Sequence, residues 1–137
     1  MNTEFLGVKV LVIDDSRTIR KTAESILKKT GCEVIISENG FDALVKIVDE
    51  KPDIIFVDIM MPKLDGYQTC ALIKHHQEFQ HIPVIMLSSK NGVFDRAHGK
   101  IAGADHYVTK PFSKDDLFYA LRTYAGKPVS GQSIVNG

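Results

Sequence analysis

The stretch "IIFVDIMMPKLDG", residues 54–66, decides how the chain folds. Its first four residues are apolar without alternation and rich in β-branched side chains, and the run stops at Asp58. Pro62 and Gly66 follow closely, so the chain turns there. A short continuous apolar run bounded by turn signals is the pattern of a strand buried on both faces, as in the interior of a parallel sheet. Asp58 then stands at the carboxyl end of an inner strand. Open α/β sheets bind their ligands outside that end. Whether Asp58 merely closes a strand or carries chemistry depends on what the other strands bring to the same edge.

Four further runs read as strands: "VKVLVID" (8–14), "EVIIS" (33–37), "PVIMLSS" (83–89) and "HYVTK" (106–110). Helical patterns lie between them. Ile19, Ala23, Ile26 and Leu27 fall on one helix face, with Lys28 and Lys29 in the last turn and Gly31 beyond. Ala43, Leu44, Ile47 and Val48 form a second apolar face, which Pro52 terminates. A third helix opens near Asp65, and a weaker fourth covers 93–102. The fifth starts at Ser113 as N-cap, with Asp115 and Asp116 in its first turn and Leu117, Ala120, Leu121 and Tyr124 on one face. Five alternations of strand and helix with short connections specify a doubly wound α/β sandwich with helices on both faces of a parallel sheet. The expected organisation is an extension over 1–7, one domain over 8–125 and a flexible tail over 126–137.

Composition narrows the function classes. The 137 residues suit one domain, and 44% hydrophobic with 25% charged residues supports a packed core. Lys+Arg and Asp+Glu number 17 each, so no bulk charge marks a nucleic-acid or membrane-surface binder. No run is long enough for a membrane-spanning helix, and the first residues lack a signal-peptide pattern. Cys32 and Cys70 have no metal or redox spacing and read as packed small residues. A reduced, cytoplasmic protein is expected.

The strand ends carry the chemistry. Strand one ends in Asp14 and Asp15, strand three in Asp58, strand four in Ser88 and Ser89, and strand five in Lys110 before Pro111. Parallel strands place all of these on one edge. Three crowded carboxylates repel one another unless a cation joins them. Hard oxygen donors open to water suit Mg²⁺. A metal beside a carboxylate, a hydroxyl and a lysine outlines a phosphoryl site, in which the carboxylate can itself be the nucleophile.

The segments "VLVIDDS", "IIFVDIMMPKLDG", "VIMLSS" and "YVTKPF", in this order and at these separations, resemble the receiver domain of bacterial response regulators over nearly the whole chain. The resemblance implies a flavodoxin-like (βα)5 fold, CheY-like, with strand order 2-1-3-4-5. It implies that Asp58 accepts a phosphoryl group from a sensor histidine kinase. Asp14, Asp15, Asp58 and the backbone carbonyl of Met60 would hold Mg²⁺, and Ser88 and Lys110 would contact the phosphoryl group. Tyr107 would be the switch aromatic, turning inward as Ser88 is drawn to the phosphate. Met60 and Lys90 stand at positions that tune phosphate lifetime in the family. The implied output is contact with a downstream protein rather than with nucleic acid. "DGYQTCALIK" and "SSKNGVFD" lie outside the generic motifs and are similar to stand-alone receivers in chemosensory control of type IV pili and twitching motility.

Plainer readings stand beside these. Asp14 and Asp15 also fit an N-cap of the first helix. Ser89 rivals Ser88, and Tyr107 also reads as an aromatic at the edge of the core. Pro111 fits either a cis bond that aims Lys110 into the cleft or an ordinary helix start. Gly66 is expected to supply an unusual backbone angle, and His75 and His76 to be helix-end cations. One rival function is a Mg²⁺-dependent phosphohydrolase with an aspartyl nucleophile. Such enzymes want a second carboxylate where Met60 stands. A flavin-binding domain is the other, and carboxylates at the strand ends would repel its phosphate.

Overall fold

Asp58 ends a strand that is buried along its whole length, and the neighbouring strands explain why. In the computed structural model, residues 4–89, 97, 98 and 100–125 are described. Five strands, β1 (Lys9–Ile13), β2 (Glu33–Ser37), β3 (Ile54–Asp58), β4 (Val84–Ser88) and β5 (His106–Thr109), form one parallel sheet in the order β2-β1-β3-β4-β5. The helices are α1 (Arg17–Lys28), α2 (Gly40–Glu50), α3 (Gly66–His75) and α4 (Lys114–Ala120), the last widening into a π-turn over Leu121–Ala125. Half of the fourth helix expected over 93–102 lies outside the described residues, and Lys90 and the tail over 126–137 lie wholly outside them; positions 97, 98, 100 and 101 are helical.

Alternate side chains of the three inner strands feed two cores. Val10, Val12, Ile54, Phe56, Ile85 and Leu87 join Ala23 and Leu27 of α1 and Leu117 and Ala120 of α4. Leu11, Ile13, Ile55, Val57, Val84 and Met86 join Ala43 and Ile47 of α2 and Cys70 and Ile73 of α3. This two-sided burial is what unbroken apolar strands require. The free cysteines are buried, and burial pushes the Cys70 thiol up to about 11, as befits a packed rather than a reactive group.

Local signals set the helix ends. Asp65 and Gln68 form a reciprocal capping box at α3, and Ser113 and Asp116 form another at α4. The cap of α1 is Ser16, whose hydroxyl accepts from the Ile19 N–H at 3.3 Å. This overturns the reading of Asp14 and Asp15 as that cap. Val48 differs from expectation as well: it is exposed, although its spacing assigns it to the apolar face of α2. Ahead of β1, Phe5 is buried against Phe118, and the Arg122 guanidinium donates twice to Glu4, so this segment is anchored to the domain through Glu4 and Phe5, with Leu6 left exposed.

Candidate functional site

The sheet order puts β1 and β3 side by side, so the residues that follow their last apolar positions meet. Asp14 is fully buried, and its Oδ1 accepts from the Ser16 N–H at 2.8 Å, which fixes the carboxylate against the turn into α1. Asp58 is 3% exposed. One ligand oxygen from each of Asp14, Asp15 and Asp58 lies within 4.8 Å of the others, two of these residues being buried and Asp15 exposed.

Lys110 reaches this cluster from the far side of the sheet. Its Nζ donates to Asp58 Oδ1 at 2.9 Å and to Asp14 Oδ2 at 3.2 Å. The Lys110 N–H also donates to the Ser88 carbonyl at 2.6 Å, tying the loop after β5 to the end of β4. The Lys110–Pro111 peptide bond is cis, the first of the two readings of Pro111. Asp58 Oδ1 takes a second, longer contact from the Met60 N–H at 3.4 Å, whereas Oδ2 accepts no hydrogen bond among the described residues.

Burial dominates the electrostatics of Asp58. Desolvation disfavours its charged form, the Lys110 hydrogen bond opposes that, and the Asp14 charge adds to it; the net result lifts the carboxyl from 3.8 to about 6. For Lys110, desolvation alone would lower the pKa. The Asp58 hydrogen bond and the charges of Asp14 and Asp58 outweigh it and leave the ammonium above its ordinary range. The site is therefore a buried carboxylate pair held by one cation, with a third carboxylate at its mouth. All its acidic donors are hard oxygens and one side is open to water, which fits Mg²⁺.

Ser88 is the last residue of β4 and is buried, whereas Ser89 is exposed beyond it. In register, Asp58 pairs with Leu87, so Ser88 sits one step past Asp58 on the same edge. Tyr107 lies on β5 opposite Met86, half-buried against the core beneath α2 and α3. The Met60 side chain is 71% exposed. His75 and His76 turn to separate partners, the first to the Ala71 carbonyl and the second to the Phe79 ring.

Two residues of the site have roles that spacing did not mark. Arg20, on α1, donates from Nη1 to the Asp14 carbonyl at 2.7 Å and pins the acidic turn. Gly66 does not adopt a positive φ; in this loop Lys63 does, at 69°. The glycine is instead required by close approach, because a Cβ there would collide with the Asp58 carbonyl oxygen and come 2.8 Å from Ile59 Cα. Gly66→Ala must push the loop off the end of β3. We expect a loss of about 2 kcal/mol of stability, read as a lower urea midpoint at unchanged slope. A midpoint equal to that of the parent chain would refute this packing role.

Comparison with known proteins places the chain in a family. The response regulator receiver domain pattern matches residues 10–122. The chain belongs to the response regulator receiver family. It is 64% identical to PilG of Pseudomonas aeruginosa over 118 residues, covering 86% of this chain and 87% of PilG. The receiver spans about half the length of several transcriptional regulators that it matches at 41–43% identity, covering 44–47% of each. Among solved structures, it is similar to the chemotaxis protein CheY4 of Vibrio cholerae (TM-score 0.81, 29% identity, 85% of this chain and 98% of that one). It is similar also to the receiver domain of the Pseudomonas aeruginosa sensor histidine kinase PA1611, which has a magnesium ion coordinated in its active site cleft (TM-score 0.81, 26% identity, 88% and 99%). The CheY-like sheet order implied by the family resemblance is the order observed.

Proposed function

We propose that this receiver is a phosphorylation switch in which Asp58 is the acceptor. The observation that carries the reading is the Lys110 ammonium shared between the buried Asp14 and Asp58 carboxylates, with Asp15 at the mouth. In the proposed step an Asp58 carboxylate oxygen attacks the phosphorus of a phosphohistidine on a sensor kinase. A P–O bond forms, and the P–N bond to the donor imidazole breaks. Asp14, Asp15, Asp58 and the Met60 carbonyl would hold Mg²⁺, which would supply positive charge to offset that on the phosphoryl oxygens. Lys110 is already aimed at Asp58 and would follow a phosphoryl oxygen with little reorganisation.

Ser88 would donate its hydroxyl to the phosphoryl group, and Tyr107 would report that movement to the face made by β5 and α4. The phosphorylated form thereby shifts a pre-existing equilibrium toward a state that a downstream protein recognises. The resemblance to PilG favours a chemosensory kinase as donor and the type IV pilus machinery or its regulators as target, in the cytoplasm, with twitching motility as the output. The chain would catalyse only its own phosphorylation and dephosphorylation. Met60, where a phosphohydrolase of this class wants a carboxylate, speaks against rapid turnover of phosphate esters.

Transfer from a phosphorylated chemosensory kinase, in Mg²⁺, tests the reading. A stoichiometric adduct with little turnover is expected, whereas sustained hydrolysis of p-nitrophenyl phosphate would favour the hydrolase. Ser88→Ala should still label Asp58 but slow labelling from acetyl phosphate by about tenfold or more. An unchanged rate would remove Ser88 from the chemistry.

A further inference from the structure

The turn between β1 and α1 holds its two carboxylates in different ways. Asp14 is fixed directly. Its N–H donates to the Ser37 carbonyl at 3.1 Å, its Oδ1 accepts from the Ser16 N–H at 2.8 Å, and its Oδ2 accepts from Lys110 Nζ at 3.2 Å. Asp15 lacks such support. Its side chain is exposed, and among the described residues no hydrogen bond or ion pair reaches its carboxylate. Yet one of its oxygens lies within 4.8 Å of ligand oxygens of Asp14 and Asp58. The place of Asp15 is therefore set by the two peptide units flanking its Cα. The later one, between Asp15 and Ser16, is held through the Ser16 N–H on Asp14 Oδ1. The earlier one, between Asp14 and Asp15, is held by Arg20, whose Nη1 donates to the Asp14 carbonyl at 2.7 Å.

Ordinary roles do not account for Arg20. It is the fourth residue of α1, near the positive end of the helix dipole, where a cation is disfavoured, and the first turn contains no acidic residue to offset it. Nor is it half of a surface ion pair: among the described residues its guanidinium pairs with no carboxylate. Glu38 and Asp42 line the same hollow, but Asp42 is committed to the Ser37 hydroxyl at 2.7 Å and to Lys46 at 3.1 Å. The side chain is half-buried and turns back along its own helix to a single backbone carbonyl, in a charge-assisted hydrogen bond.

We infer that Arg20 is a positioning residue for the cation site, holding the Asp15 carboxylate at the cleft through the Asp14–Asp15 peptide. This rests on the reading of the cleft as a Mg²⁺ site. Groups that orient metal ligands without touching the metal set affinity through that geometry. The sign of the effect separates this role from a mere charge effect. A guanidinium near the cleft repels a divalent cation, so removing its charge alone would tighten Mg²⁺ binding. Loss of positioning frees Asp15 and weakens it.

The test is titration of the full chain and of Arg20→Gln with MgCl₂, followed by the amide shifts of the cleft, which report weak binding as well as tight. Affinity should fall by about tenfold in the variant. In EDTA, the Asp15 amide of Arg20→Gln should show a lower order parameter than that of the parent. In labelling by acetyl phosphate, the half-saturating Mg²⁺ concentration should rise by the same factor. The rate at saturating Mg²⁺ should match the parent, because Arg20 touches no reacting group. In an Asp15→Asn background, Arg20→Gln should change Mg²⁺ affinity by less than about twofold, since the carboxylate it places is gone. Urea melts in EDTA establish that each variant is folded. Unchanged or tighter Mg²⁺ binding by Arg20→Gln, unchanged order at Asp15, or an equal loss in the Asp15→Asn background would overturn the inference. A parent chain that binds no Mg²⁺ would instead overturn the cation site itself, and the role of Arg20 with it.

Discussion

Asp58→Asn is expected to abolish the phosphoryl adduct and, without divalent cation, to make the protein more stable. Under labelling by acetyl phosphate or a phosphorylated kinase, the parent chain should acquire one hydroxylamine-labile phosphoryl group. The variant should retain less than about a hundredth of that, because an amide is no nucleophile for this step. The stability effect follows from burial. The Asp58 carboxyl is raised from 3.8 to about 6 in the folded chain, so its ionised form is the costly one. Between these values the folded state keeps a proton that the unfolded state has lost. The contribution of Asp58 to stability therefore declines from about pH 4 to about pH 6 and stays low above that. The rise from 3.8 to about 6 corresponds to roughly 3 kcal/mol. The amide of the variant does not titrate. Its stability relative to the parent should thus rise by about that amount between pH 4 and 7 in EDTA. Mg²⁺ should then stabilise the parent selectively, by about 1.4 kcal/mol at ten times its dissociation constant. Denaturant melts at several pH values, with and without Mg²⁺, measure all of this. A flat difference across pH, or equal Mg²⁺ stabilisation of both chains, would contradict the proposed coupling of burial, charge and metal at this residue.

Much of this site could be read before any coordinates. The continuous apolar runs of β1, β3 and β4 could hardly be anything but two-sided strands, and parallel strands bring their carboxyl ends to one edge. The placement of Asp14, Asp58 and Lys110 on that edge was legible for this reason alone, whereas the choice of Ser88 over Ser89 came from the family resemblance. The strand order was not: periodicity distinguishes buried from half-buried strands but does not say which strands are neighbours, and the order came from the family resemblance. Gly66 was marked as special for the wrong reason. Whether a glycine serves backbone angle or close approach depends on what lies over its Cα, and the Asp58 carbonyl comes there only through the fold. Arg20 escaped because a side chain reaching a backbone carbonyl leaves no pattern in composition or spacing. Val48 shows the limit of counting apolar residues on a helix. Ala43 and Ile47 are buried and Val48 is not, because apolar character does not oblige a residue to lie inside.

Lys110→Met should weaken the fold most where the carboxylates are charged. Methionine keeps most of the aliphatic stem and removes the ammonium, leaving Asp14 and Asp58 facing each other without their shared cation. Breaking one side of a buried ion pair costs about 3 kcal/mol, and the Lys110 side chain, at 15% exposure, is sheltered enough for that figure to apply. The sign of the pH dependence distinguishes this from simple loss of packing. The Lys110 hydrogen bond is what holds the Asp58 carboxyl down against burial, so its removal raises that carboxyl further above the 3.8 of a free aspartate. In the variant Asp58 takes up a proton at a pH where the parent is still ionised, and protonation relieves the repulsion. The destabilisation should therefore be greatest at about pH 8 and shrink steadily toward about pH 5. Mg²⁺ should relieve it too, since a divalent cation among the same oxygens replaces the missing charge. Urea melts of parent and variant across this range, with EDTA or Mg²⁺, give the comparison. A loss that is constant with pH and indifferent to Mg²⁺ would mean that Lys110 acts through its methylenes, and the electrostatic account of the cleft would fall with it.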